Sequence, residues 1–303
     1  MKKYCITGGL GYIGSSLAKK LLEEGNYVTI IDNASGHNLK EYDAVRTELL
    51  KHRYCELISG SIENFDTRIL IGMDCVFHLA AISDVIACEE NPNECFKTNL
   101  ELTKKLIQKC LDTKVKNFLF VSSAAVYGMY KKCFEQLELH EVEQINNYGL
   151  SKYKAEKEVI KSGLNFKIVR PSNVYGKGLV TKNNVIHLFV NNILNNQPIT
   201  IHGKGEQMRD FIHLNDVVEA LAFLSDTSIK GVFNLGTGKS TRVRTIALKL
   251  LPGRNKKMKY LENDRVQTGL GEYEYDVSKL RNLGWTPRIR LDLGIKMCLS
   301  EFK

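Results

Sequence analysis

No run of the chain approaches the roughly 18 consecutive apolar residues that a membrane-crossing helix requires, so no span is expected. The opening Met1-Lys2-Lys3 leads straight into an apolar run and lacks the layout of a secretory signal. None of the eight cysteines falls in a CxxC pair or at metal-ligand spacing, so neither a metal centre nor a disulfide framework is expected. They read as reduced, mostly buried thiols, Cys5 and Cys75 within strands, and the expected compartment is the cytoplasm. Internal repeats, low-complexity tracts and long linkers are missing too. The net charge of +9 is not gathered on one aromatic-studded face, and the densest basic run, Arg254 to Lys259, is short. No nucleic-acid partner is expected; a basic cleft for a phosphorylated substrate is the better use of that charge.

What is present is ordinary globular material. A chain of 303 residues, 43% hydrophobic and 25% charged, can bury the core of one large or two modest domains. Its organising stretch lies at the start. An apolar run from Tyr4 to Thr7 meets Gly8, Gly9, Gly11 and Gly14, the last three at G-x-G-x-x-G spacing, and then Ile13, Leu17 and Leu21 form an apolar stripe that stops at Gly25. Strand, glycine turn and helix in that order make a dinucleotide fingerprint, with the uncapped helix N-terminus aimed at a pyrophosphate. Val28 to Ile31 is a second strand, and Asp32 at its end offers a carboxylate to the two hydroxyls of an adenosine ribose. That carboxylate repels a 2′-phosphate, and Asn33-Ala34-Ser35-Gly36 offers no arginine, so NAD is expected rather than NADP.

Strand-like and helical segments then alternate. A helix running to about Lys51 precedes strands at Glu56–Gly60, Cys75–Ala81, Asn117–Ser123 and Phe166–Arg170, and helical periodicity covers Asn93–Thr113 and Asn147–Lys161. This alternation specifies an α/β fold, a Rossmann-type doubly wound parallel sheet, with its ligands at the carboxyl ends of the strands. Beyond Asn173 the pattern loosens into a helix at Val185–Asn195, a strand at Pro198–His202, a helix from Asp216 capped by Asn215 or Asp216, and a strand at Val232–Leu235. The expected division is a NAD-binding domain over 1–173, with 213–228 returning to it, and a smaller mixed α/β C-terminal substrate domain over 174–303.

Tyr148 and Lys152 stand one helical turn apart on a shared face. A free phenol titrates near 10 and is a poor base. A neighbouring ammonium, helped by a nicotinamide cation, favours the phenolate and brings Tyr148 into range for proton transfer. Lys152 can also bond the nicotinamide ribose. Ser123, at a strand end, can bond the same substrate hydroxyl, whereas Ser122 reads as the capping serine.

In order, Thr7 to Gly14, Asp32-Asn33, His78 to Ala81, Ser122 to Gly128, Tyr148-x-x-x-Lys152, Arg170 to Gly176, Arg209 to His213, Phe233 to Gly236, Asp276 to Lys279 and Leu283-Gly-Trp285 resemble the motifs of one family. It is the extended short-chain dehydrogenase/reductase family, in its nucleotide-sugar epimerase/dehydratase branch. The resemblance implies that Tyr12, Ile13, Asp32 and Asn33 hold NAD, that Ser61 and Ile62 flank the adenine, and that Leu79, Ala80 and Ala81 line the pyrophosphate. Asn99, Pro171 and Ser172 complete the cofactor site; Asn173, Arg209 and Arg265 contact the nucleotide diphosphate, as arginine forks suit phosphate oxygens. Ser83 and Asp84 fall where the sugar is expected, Asp84 either binding sugar hydroxyls or a distinct functional group, or facing solvent. The implied activity is 4-epimerisation of a nucleotide sugar through a transient 4-keto intermediate, with net oxidation or reduction of such a sugar as the alternative and a non-catalytic dinucleotide sensor behind both. Ala124 and Ala125 replace the Asp-Glu pair with which the branch's dehydratases eliminate water, and the catalytic cysteine of its 3,5-epimerases has no counterpart. A homodimer through the helices at 93–113 and 147–161 is implied as well.

Overall fold

The computed structural model describes residues 1–35, 39–128, 132–133, 146–179, 184–251, 258–261 and 274–302. The chain opens with β1 (Lys3–Thr7), α1 (Tyr12–Glu23), β2 (Tyr27–Asp32), α2 (Leu39–Leu50), β3 (Cys55–Ser59) and β4 (Cys75–His78). Two short helices, α3 (Val85–Glu90) and α4 (Pro92–Phe96), a π-type turn over Lys97–Glu101, and α5 (Leu102–Asp112) lead to β5 (Phe118–Val121) and a 3₁₀ turn over Ala124–Tyr127. Then come β6 (Lys132–Cys133), α6 (Asn147–Lys161), β7 (Phe166–Pro171), β8 (Asn173–Tyr175), α7 (Val185–Leu194), β9 (Ile199–His202) and β10 (Met208–His213). The last stretch holds α8 (Leu214–Ser225), β11 (Gly231–Leu235), β12 (Ser240–Arg242), α9 (Val243–Leu250), β13 (Met258–Leu261), β14 (Glu274–Tyr275), α10 (Ser278–Asn282) and α11 (Leu291–Glu301).

Seven parallel strands form the main sheet in the order β11-β7-β5-β4-β1-β2-β3. The expected Rossmann-type sheet is therefore present. Its order reverses between β1 and β4, and the crevice beyond their carboxyl ends is where such sheets take ligands. α1 and α8 cover one face, where Leu17, Leu21, Val217, Leu221 and Leu224 share a core with Ile6 and Ile30. α5 and α6 cover the other through Leu106, Cys110, Ala155 and Val159. Each fully buried leucine of these stripes contributes roughly 1.5–3 kcal/mol. Gly25 ends α1 with φ of +80°, its N–H bonding Leu22 O at 2.9 Å and that of Asn26 bonding Leu21 O at 3.1 Å. Those paired bonds satisfy carbonyls the helix leaves open.

A second core gathers Ile186, Phe189, Ile199, Ile201, Phe211, Ile246 and Ile295 from α7, β9, β10, α9 and α11. β11, expected within this smaller region, is instead the outer strand of the main sheet, pairing Gly231–Leu235 with Lys167–Pro171. Lys279 covers its open edge by donating to Val232 O at 2.6 Å, which removes a template for unwanted strand pairing. Two further expectations need correction. α8 is capped by neither Asn215 nor Asp216 but by His213, whose Nδ1 accepts from the Asn215 N–H at 3.2 Å. Asp216 instead holds the turn before α11, accepting from the N–H groups of Arg288 and Ile289. The single helix expected over Asn93–Thr113 is broken by the π-type turn, which the periodicity of the flanking leucines conceals.

Candidate active site

The glycine turn closes on β4. A Cβ added at Gly8 would stand 2.6 Å from Ala80 N, and one at Gly14 would stand 2.1 Å from Gly8 O. Gly8 itself has φ of +69°. Backbone alone therefore fits here, between the ends of β1 and β4. α1 starts at Gly11 with no side-chain cap and no acidic residue in its first turn, so the N–H groups of Tyr12, Ile13 and Gly14 face an anion site with their partial positive charge intact. The residues present fit a dinucleotide.

Asp32, 8% exposed, accepts from Leu10 N at 2.9 Å and from Ala34 N at 2.8 Å, which holds its carboxylate against the glycine turn. Asn33 accepts from the N–H and hydroxyl of Ser35, shaping the turn beyond β2. Ser61 accepts from Glu63 N at 3.2 Å, and Ile62 lies in the core beside it. The Tyr12 side chain points elsewhere than its expected role suggested: its hydroxyl donates to Gly176 O at 2.7 Å and its ring meets His187 edge-on. Tyr12 can serve the cofactor through its backbone; its side chain ties α1 to β8 and α7.

Leu79, Ala80 and Ala81 continue from β4, and Asn99 holds the loop that follows. Fully buried in the π-type turn, Asn99 accepts from Ile82 N at 2.8 Å and donates to Ile82 O at 3.0 Å and Ser151 Oγ at 2.9 Å. Ser151 in turn donates to Tyr148 O at 2.7 Å. One amide side chain thus joins the cofactor loop to the helix that carries Tyr148 and Lys152.

Tyr148 is partly buried, and it shares a hydrogen bond with Ser123. Burial pushes its phenol up to about 12, with the Ser123 hydroxyl pulling the other way. Lys152 is 1% exposed; burial pushes it down to about 7, opposed by the Glu156 carboxylate. Its Nζ stands 4.1 Å over the Phe120 ring. The expected lowering of Tyr148 by Lys152 is therefore not a property of the protein alone: desolvation wins for both groups. Ser123 is also the capping residue, its Oγ accepting from Ala125 N at 3.1 Å to start the 3₁₀ turn. Ser122, read as the cap, has a buried hydroxyl with no partner among the described residues.

Of the residues expected around the substrate, Ser83 and Asp84 are exposed, and Asp84 is the N-cap of α3, accepting from Ile86 N at 2.8 Å and Ala87 N at 3.1 Å. Asn173 bridges β8 to β10 by donating to Asp210 O at 3.2 Å. Arg209 is half-buried on β10, one Nη donating to Met208 O. Pro171 ends β7, and Ser172 donates to Asp210 Oδ1 at 3.2 Å. Arg265 lies outside the described residues.

Several buried groups escaped the sequence reading. Asp210 collects the N–H groups of Thr237 and Gly238 and the hydroxyls of Ser172 and Thr237. Burial still draws its carboxyl upward, and these bonds draw it back. His78 bridges Thr7 at 2.7 Å and Thr103 at 2.8 Å. Because Thr103 donates its own proton to Asn99 O, His78 carries its hydrogen on Nε2 and accepts from Thr7 at Nδ1. Burial, and after it the Lys152 charge, pushes His78 down to about 3, so it is a neutral bridge. Arg170 binds Glu156 through both guanidinium and both carboxylate arms, at 2.9 and 2.6 Å. The signals in the sequence were the motif stretches that contain His78, Arg170 and Asp210, and the spacing of Glu156, one turn beyond Lys152.

The model of the NAD-dependent epimerase/dehydratase family matches residues 4–236. The chain belongs to that family. It is 31% identical to a Methanocaldococcus jannaschii protein that bears the provisional name UDP-glucose 4-epimerase, over 98% of this chain and 97% of that one. It is 30% identical to ADP-L-glycero-D-manno-heptose-6-epimerase of Brachyspira hyodysenteriae, over 96% and 95% of the two chains. Among solved structures, UDP-glucose 4-epimerase of Thermotoga maritima with UDP-glucose superposes with a TM-score of 0.85 at 29% identity, covering 99% of this chain and 98% of that one. Membership accounts for the cradle: the cofactor of this enzyme is NAD.

Proposed function

We propose that the protein is a nucleotide-sugar 4-epimerase. The observation that carries this is the convergence of Ser123, just beyond β5, and Tyr148 and Lys152 on α6 with the backbone cradle between β1 and β4, at one end of one sheet. Bound there, NAD would supply the two-electron redox chemistry that 4-epimerisation needs, the hydride leaving C4 of the sugar on one face and being restored on the other. Tyr148 takes the proton of the 4-hydroxyl and gives it back, and because the hydride is restored as well no net oxidation results. Ser123 holds the same oxygen, and Lys152 bonds the nicotinamide ribose. Because the isolated protein holds Tyr148 near 12, the positive charges needed to reach the phenolate are Lys152 as an ammonium and the cofactor's ring. Asn173, Arg209 and Arg265 take the nucleotide diphosphate. Ala124 and Ala125 leave no carboxyl beside Ser123 to expel water, which supports epimerisation over dehydration.

The same reading places the enzyme in the cytoplasm as a homodimer. Seven described cysteines are free thiols, and Leu111 on α5 and Ile160 on α6 are exposed at 38% and 43%, on helices that would meet a second copy. No described helix is long and apolar enough to cross a membrane.

The test uses protein as purified, with no added cofactor, and a panel of UDP-, dTDP-, ADP- and GDP-sugars followed by NMR. A C4 epimer is the expected product. Oxidised or reduced sugar formed only when NAD or NADH is supplied, or carbon dioxide released from a uronic acid, overturns the assignment.

A further inference from the structure

Glu156 has no part in the chemistry proposed above, yet it is 1% exposed and lies one turn beyond Lys152 on α6. Its two oxygens are both engaged by Arg170, at 2.9 and 2.6 Å. Arg170 is anchored in its turn: Nη1 donates to the Tyr127 hydroxyl at 2.8 Å, Tyr127 donates to Asn234 Oδ1 at 2.7 Å, and the Tyr275 hydroxyl donates to the Arg170 carbonyl. The carboxylate is thereby fixed from the 3₁₀ turn, β7, β11 and β14 together. It cannot swing to Lys152, and it acts on it through a low-dielectric interior where charge reaches far.

The surroundings of Lys152 explain why that matters. On β4 stands His78, kept neutral; on β5 lies the Phe120 ring; on α4 is the Cys95 thiol; on α6 itself are Tyr148 and Glu156; Arg170 on β7 and Tyr127 lie behind Glu156. Among the described residues, Glu156 is the one carboxylate whose charge reaches the Lys152 amine. Two buried cations, Lys152 and Arg170, thus share one anion, and the surplus positive charge suits a phenolate at Tyr148.

We propose that Glu156 is a positioning residue for the reaction: locked by Arg170, it keeps Lys152 in its charged form at the pH of catalysis. This rests on the role given to Lys152 in the proposed function. It assigns the Glu156–Arg170 pair a task beyond tying α6 to β7, and the two tasks separate by experiment.

The direct readout is the charge of Lys152, which needs no sugar. In NAD-loaded protein labelled with [13Cε]lysine, the resonance missing from Lys152→Arg belongs to Lys152, and its shift is followed from pH 5 to 10. In Glu156→Gln the midpoint falls by about one pH unit or more, while Glu156→Asp stays close to wild type. The alkaline limb of kcat moves down with it, with KM within about twofold, since the substrate contacts are untouched. The double variant Glu156→Gln/Arg170→Gln leaves neutral amides in place of both charges; its fall is smaller, because the Arg170 charge that repels Lys152 from behind Glu156 goes too, and it serves where the single variant does not fold. A Lys152 midpoint unmoved in these variants, beside a lowered Tm, makes the pair purely structural and overturns the inference. A shifted midpoint in a protein that epimerises no sugar upholds the control of the Lys152 charge by Glu156 and overturns the proposed function instead.

Discussion

Where β1 turns into α1, the surface offered to NAD is backbone, with glycine wherever a Cβ would collide; around α6, every group that handles a proton is a side chain. The two regions meet at one sheet end yet fail in different ways. Gly14→Ala puts a methyl 2.1 Å from the Gly8 carbonyl oxygen, a backbone atom with no rotamer to escape into. Overpacking of this kind costs about 1–3 kcal/mol or more, and here it also deforms the anion site. The expected outcome is loss of bound nucleotide, read as the absence of NAD released on denaturing the purified variant. A Gly14→Ala protein that keeps wild-type NAD would break the claim that the cradle is made of backbone.

Tyr148→Phe strikes the other region. Removing one hydroxyl leaves the cradle and the core intact, so NAD stays bound while turnover falls about 10²–10⁴-fold. Loss of NAD together with activity would mean that α6 supports the cradle as much as the chemistry. His78 sharpens the boundary, because it lies on β4 between the two. Its folded pKa, about 3, lies below its unfolded value of roughly 6.5. Between those values the unfolded chain binds a proton that the native protein refuses. The stabilisation is therefore complete above about pH 6.5 and is lost as pH falls toward 3, by up to about 1.4 kcal/mol per pH unit. Urea unfolding of wild type and His78→Gln at pH 7, 6 and 5 checks this: the variant's curve should be flatter by one proton. Parallel curves would show that the Thr7–His78–Thr103 bridge is not neutral.

The same division governs what was legible beforehand. A backbone cradle announces itself, since only glycine at fixed spacing can build it, and the strand that precedes Gly8 and the helix that follows Gly14 stand where periodicity puts them. The main sheet could be read from alternating patterns for the same reason. Contacts between distant side chains leave no such trace. Nothing near Arg170 in the sequence points to Glu156 and Tyr127, and nothing near Asp210 points to Thr237. The membership of β11 in the main sheet was hidden likewise, because a five-residue strand carries no mark of its neighbour. Tyr148 and Lys152 were found by spacing, but spacing records proximity alone: in the protein without cofactor, burial raises the phenol and lowers the ammonium, which no spacing shows.

Asp84 gives the smallest and most discriminating test of that lesson. It was marked out by its charge where the sugar is expected, and the structure shows it exposed and capping α3 through the N–H groups of Ile86 and Ala87. Losing such a cap costs about 0.5–2 kcal/mol, typically near 1. Asparagine caps about as well as aspartate, so the pair of variants separates cap from charge. Asp84→Ala should lower unfolding stability by about 1 kcal/mol and Asp84→Asn by a few tenths at most, with KM for the nucleotide sugar the same in both. The opposite pattern, Asp84→Asn as stable as wild type but raised severalfold in KM, would restore the carboxylate to the substrate site. It would also place α3, a helix the sequence did not reveal, at the sugar's edge.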